Sequence, residues 1–175
     1  MIPFLIALAV LAVLSGLFCL LCLKKCPADK ILVVCGSHLG RDAKGNARSV
    51  VCQHGGCRFV LPLVQRCEYL DLTPVNLRLE ITDPWRFEAG LSVAVSPQPG
   101  IMERAALCLI GLSPNRIGEM AESVALGQLR LAAELWPEPP EDRDCFCASY
   151  CAALEPELNK LGLTVVNFRA LTFGS

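Results

Sequence analysis

Charge is missing from the start of this 175-residue chain: residues 2–23 hold no Asp, Glu, Lys or Arg, and Ser15 is their one polar side chain. That lack excludes an ordinary solvated surface segment. A spanning helix needs ~20 apolar residues, each rising ~1.5 Å, to cross ~30 Å of hydrocarbon, so the run predicts a transmembrane anchor over 1–25. Nothing basic precedes it, and it ends in Cys-Leu-Leu-Cys-Leu before Lys24-Lys25. A cleaved secretory signal would instead carry a basic start and a small-residue cleavage site. Lys24, Lys25 and Lys30 all follow the run, and the side rich in Lys and Arg faces the cytoplasm. The expected location is therefore a cell membrane, single-pass, with the N-terminus outside and the body cytoplasmic.

An excess of positive charge is also missing. Beyond Lys24 and Lys25 the chain has 14 basic residues against all 17 acidic ones, a formal net charge of −3. Such a body offers no nucleic-acid surface. Histidine is scarce, with His38 and His54 alone, which leaves few candidates for a general base. No G-x-S-x-G occurs, and Gly40-Arg-Asp-Ala-Lys-Gly45 matches a phosphate loop only in part, with Asn46 where its lysine belongs.

Cysteine is plentiful, with 11 residues. A disulfide framework suits a smaller secreted domain with an even count. Cys35, Cys52, Cys67 and Cys108 read as small core hydrophobes. Cys19 and Cys22 fall in the apolar run, and Cys26 lies just beyond it, where acylation is chemically feasible. Cys52-Gln-His54-Gly-Gly-Cys57 brings two thiols and an imidazole together. A closed zinc site needs four ligands, so Cys35 or His38 would have to join from across a hairpin. The spacing differs from a paired C-x2-C, and a glycine turn between two strands is the better reading. Cys147 and Cys151 share a helix face at i,i+4 while Cys145 is rotated away, which reads as packing. The acidic stretch from Glu138 to Asp144, with Arg143 inside it, reads as a solvated linker and helix start. No catalytic, cofactor-binding or metal-binding residue is expected, and no cofactor.

The order of elements follows from periodicity. Strands are predicted over 30–35, 48–53, 57–61 and 66–72, with His54-Gly55-Gly56 as a tight turn. Residues 75–81 alternate strictly, Val75, Leu77, Leu79 and Ile81 against Asn76, Arg78 and Glu80, as a half-buried strand does. Trp85, Phe87, Ala89, Leu91, Val93 and Val95 alternate in a second long strand. A short helix is predicted over 101–112. Ser113-Pro114 then starts a long helix, with Ile117, Met120, Ala121, Val124, Leu131 and Leu135 as its core stripe. A last helix from about 142, bent or broken at Pro156, stops at Gly162, and a strand follows over 163–168. Strands, then helices, then a returning strand predict an α+β fold. The division is 1–25 as anchor, 26–98 as a β-rich part and 99–175 as an α/β part.

Several motifs, in order, resemble the opening of bacterial flotillins: Cys26-Pro-Ala-Asp-Lys-Ile-Leu-Val-Val34, Cys52-Gln-His-Gly-Gly56, Phe59-Val-Leu-Pro62, Glu68-Tyr-Leu-Asp-Leu-Thr-Pro74, Pro99-Gly-Ile-Met-Glu103, Gly127-Gln-Leu-Arg-Leu131 and Glu155-Pro-Glu-Leu-Asn-Lys-Leu-Gly162. The resemblance implies an SPFH (band 7) domain after a single transmembrane helix, ending ahead of the family's coiled-coil region. It implies a membrane-anchored, non-enzymatic scaffold that organises membrane microdomains or membrane protein complexes. The alternative it implies is a prohibitin-like regulatory subunit of a membrane protease or other membrane enzyme. The implied partners are the lipid bilayer, further copies in a homo-oligomer, and an NfeD-like or protease membrane protein.

Overall fold

The computed structural model describes residues 2–36, 39, 49–83, 85–135 and 142–174; the side chains of 2–5, 7–9, 173 and 174 are not included in that description. The architecture is α+β, with four helices and eight strands among the described residues. The chain divides into two compact units, Met1–Tyr69 and Leu70–Ser175.

The first unit opens with helix α1 (Ile2–Cys22), which runs directly into strand β1 (Leu23–Lys25). β2 (Lys30–Gly36), β3 (Val50–His54), β4 (Cys57–Phe59) and β5 (Gln65–Asp71) follow, β5 reaching the boundary between units. β1 pairs antiparallel with β4, and a second sheet has the order β3-β2-β5. The β3–β4 turn is the expected glycine turn: Gly55 and Gly56 have φ of 73° and 79°, a conformation that costs a side-chain-bearing residue. Gln53 pins the turn, its Nε2 donating to the carbonyls of Gly55 and Cys57. Cys26, Leu32, Val34 and Val60 form a small core, with Leu39 and Cys67 packed on it.

The expected transmembrane anchor is not retained. Among the described residues no helix is long and apolar enough to cross a membrane. Lys24 and Lys25 are not a loose basic flank either, because they lie in β1 opposite Arg58 and Cys57. The single-pass location, and the topology with the N-terminus outside and the body cytoplasmic, lose their support with the anchor.

The second unit is a three-stranded antiparallel sheet with helices packed on its strands. β6 (Val75–Ile81) and β8 (Leu163–Gly174) flank β7 (Arg86–Val95). α2 (Ile101–Leu109), α3 (Pro114–Leu135) and α4 (Arg143–Leu161) are inserted between β7 and β8. α3 packs on β6, α4 on β8, and α4 also meets α2 and α3. The alternating positions behave as expected: Leu79, Ile81, Phe87, Ala89, Leu91, Val93 and Val95 are buried.

The helices close this core with aromatic residues. Trp85, Phe87 and Phe146 meet edge to face at centroid distances of 5.3–5.8 Å, the geometry that ring quadrupoles favour. Phe146, Tyr150, Leu154 and Leu158 recur every four residues on the buried side of α4. The Tyr150 hydroxyl donates to the Ala125 carbonyl at 2.9 Å and ties α4 to α3. Asp142 caps α4, accepting from the amides of Asp144 and Cys145. Gly162 ends it at φ 86°, where a Cβ would overlap the Ala105 backbone.

Two local expectations change. α4 continues through Pro156; Pro156 and Ala152 are both exposed, so the carbonyl deprived of its helical donor can turn to water. The buried stripe of α3 is Gly118, Ala121, Ala125, Leu129 and Ala133, whereas Leu131 and Leu135 are 55% and 81% exposed. Four of these five are Gly or Ala, because the helix lies close: a Cβ on Gly118 would sit 3.2 Å from Val75.

Candidate functional site

The surface feature that sets the first unit apart is its uncovered apolar area. Every described side chain of α1 from 10 to 21 is exposed, including Leu20 at 71% and Leu21 at 64%. α1 delivers its end to the β1–β4 pair, where the amide of Val60 donates to the Cys22 carbonyl at 2.8 Å. The pair places Leu23 opposite Phe59, and both side chains of this rung are about half exposed. The segment after β4 continues the surface with Leu61, Leu63 at 91% exposure and Val64. That segment is a fixed tight turn: the amides of Val64 and Gln65 donate to the Leu61 carbonyl, and Gln65 Oε1 accepts from the Leu61 amide. Single exposed leucines are normal on a protein; a contiguous set of this kind marks an interaction surface.

Positive charge borders this surface. Lys24 stands directly opposite Arg58, one rung from Leu23 and Phe59, and Lys25 follows opposite Cys57. Like charges facing each other across a strand pair are destabilising. None of Lys24, Lys25 or Arg58 forms an ion pair among the described residues. A negatively charged partner would relieve that repulsion.

The chemistry-bearing residues are placed as follows. His54 is exposed, with Nε2 2.9 Å from the Ala28 carbonyl. Cys52 is buried opposite Val33, whereas Cys57 is exposed opposite Lys25. Cys35 lies opposite Val50, and burial, then Glu68, pushes its thiol up. His38, the partial phosphate loop and Glu138 to Glu141 lie outside the described residues. Cys26 is buried with Sγ 3.3 Å from the carbonyls of Lys30 and Gln53. On α4, burial first and neighbouring charge second push up both Cys147 and Cys151. A raised thiol holds its proton and is a poor nucleophile. Cys145 is exposed and carries the α4 amide bonded by the Asp142 cap. Among the described residues, no three His, Cys, Asp or Glu side chains gather as metal ligands do.

In the second unit a cleft of about 150 Å³ lies between α3 and α4, lined by Leu131, Leu135, Phe146 and Tyr150 among others. Its tyrosine hydroxyl already donates to Ala125, and burial raises the Tyr150 hydroxyl far above its usual range. Among its described lining residues the cleft presents no acid–base pair.

Sequence reading missed the turn at 61–64 as a surface element. Its signal was present: Phe-Val-Leu-Pro-Leu-Val is apolar without alternation, which a strand with one wet face does not show. The chain matches no protein-family model. It also matches no curated protein, so nothing in these comparisons identifies a flotillin or an SPFH family.

Proposed function

We propose that this chain is a non-enzymatic scaffold whose first unit rests on an anionic lipid surface and there meets further copies of itself. The observation that carries the reading is the exposed apolar surface of α1, Leu23, Phe59, Leu61, Leu63 and Val64, bordered by Lys24, Lys25 and Arg58. Apolar side chains at the headgroup boundary and basic ones beside them are what interfacial binding requires. Burying one leucine is worth about 1.5–3 kcal/mol, and each basic residue near an anionic surface adds about 1 kcal/mol. Neither alone would hold the chain; several of each together would. A shared surface also fixes every copy at one depth, which raises the effective concentration of neighbours. The non-enzymatic part of the reading is supported by the chemistry just described: the part-buried Cys35, Cys147 and Cys151 hold their protons, and the exposed His54 faces a carbonyl.

The test is co-flotation of the full chain with vesicles of phosphatidylcholine alone and of phosphatidylcholine mixed with phosphatidylglycerol. The mixed vesicles should carry the protein at low salt. Leu63→Asp should weaken binding to both compositions, and Arg58→Glu should weaken only the preference for the anionic one. Equal flotation of wild type, Leu63→Asp and Arg58→Glu would remove this reading.

A further inference from the structure

The open face of the second unit's sheet carries a row that the scaffold reading does not use. Register places Arg78 of β6 opposite Gly90 of β7, and Gly90 opposite Arg169 of β8. Residues paired in antiparallel strands share a face, and this row alternates with the Leu79–Ala89–Ala170 row, in which Leu79 and Ala89 are fully buried, so it lies away from the helices. Both arginines are exposed.

The fold itself gives no reason for glycine at 90. A glycine inside a strand costs about 0.5–1 kcal/mol relative to alanine. Gly90 is not among the positive-φ glycines. A Cβ there would meet nothing closer than the Arg169 carbonyl at 4.0 Å. The irregularities in the β7–β8 pairing lie between Glu88 and Ala89 and between Ser92 and Val93, leaving Gly90 itself in regular register. Glycine in a strand without such a need marks a place where a ligand or another backbone comes close.

The charges on the face suit an anion. Arg78 Nη2 holds Glu88 Oε2 at 2.7 Å, and Arg86 Nη2 holds Glu88 Oε1 at 2.9 Å and faces Glu80 at 3.6 Å. The two carboxylates of the face are thus engaged, and three arginines outnumber them. Arg78 is fixed through one nitrogen while its side chain stays 70% exposed, so further N–H groups remain open to solvent. Arg169 forms no ion pair among the described residues.

We infer that Arg78, Gly90 and Arg169 form a phosphate-binding site, with Gly90 as the floor and the two arginines on either side. A guanidinium satisfies a carboxylate's two oxygens alone through a bidentate contact. A phosphate group has a third oxygen and a second charge, and so suits two arginines approaching from opposite strands, about 10 Å apart at the backbone. The group's source is either a soluble phosphate ester or a lipid headgroup.

The experiment is an NMR titration of the full chain, following the Gly90 amide, with O-phosphoserine, with soluble short-chain phosphatidic acid and with acetate. Saturable shifts with either phosphate, but not with acetate at equal ionic strength, are expected. A response to O-phosphoserine assigns a soluble ester; a response to the lipid alone assigns a headgroup. Arg169→Gln should weaken binding about tenfold or more with Tm unchanged. Gly90→Val should abolish binding while leaving Tm equal or higher, since valine favours a strand; Gly90→Ala serves if the valine chain does not fold. A Tm loss in Gly90→Ala with binding intact would make the glycine structural and overturn the inference. So would the absence of any saturable shift, or equal shifts with acetate.

Discussion

The two units treat their hydrophobic residues in opposite ways. In the second, the apolar face of a three-stranded sheet is covered by α3 and α4, and Phe87, Leu91, Val93, Phe146, Leu154 and Leu158 are all at most 1% exposed. In the first, Cys26, Leu32, Val34 and Val60 make a small cluster and Ile31 and Val33 are also buried, while α1, Phe59, Leu61, Leu63 and Val64 leave large apolar side chains in the open. A helix apolar on every side belongs against something apolar. The difference teaches that composition and fold do separate work here: the second unit's apolar residues stabilise its fold, and most of the first unit's are available to a partner.

The strongest way to break that comparison is to charge the second unit's core. Val93→Asp would bury an unpaired carboxylate at a position with 0% exposure, at a cost of several kcal/mol. Loss of the cooperative thermal transition of that unit is expected. Ser92→Asp, on the opposite face where Ser92 Oγ donates to Asn76 Oδ1 at 2.6 Å, should shift Tm far less. Equal losses would mean that the two faces are not distinct.

Next in size is Phe146→Ala. It removes the ring that Trp85 and Phe87 both contact, and should cost about 3–5 kcal/mol in denaturant unfolding. A cost under about 1 kcal/mol would contradict the tight packing assigned to this core. Asp142→Ala should cost about 1 kcal/mol through the lost cap of α4. By contrast Leu63→Asp, on an exposed turn, should leave stability within about 0.5 kcal/mol of wild type.

The smallest effect is a pH dependence on the open face. Hydrogen bonds from Arg78 and then Arg86 hold the Glu88 carboxyl below its ordinary value of 4.5. A depressed folded value makes the stabilising contribution complete above pH 4.5 and lost as pH falls through the folded value. The Tm difference between wild type and Glu88→Gln should therefore be constant above pH 4.5 and shrink below it. A difference that grows on acidification would have the sign wrong.

Much of the second unit was legible because its signals are local. Strict alternation over 75–81, Ser113-Pro114 before α3 and Gly162 after α4 each follow from one residue's geometry or a period of two. The length of β8 was not legible, since Arg169 to Gly174 extend as strand only by pairing with Arg86 to Ala89 and Gly90. The core side of α3 was read only in part: Ala121 was placed correctly, but Leu131 and Leu135 were favoured over Gly118 and Ala125, which close packing requires. In the first unit the apolar run was plain, yet Lys24-Lys25 read as the end of an anchor and not as a strand, because β4 lies more than thirty residues on. The Arg78–Gly90–Arg169 row was invisible for the same reason: it exists only in the register of three strands.

The central claim, that the first unit's exposed apolar surface meets lipid, is tested most directly by quenching with brominated lipid in anionic vesicles. Leu63→Trp and Leu135→Trp place a reporter at the two positions of highest leucine exposure, 91% in the first unit and 81% in the second. The account predicts strong additional quenching over wild type for Leu63→Trp and none for Leu135→Trp. Equal quenching at the two positions, or none at position 63, would contradict it.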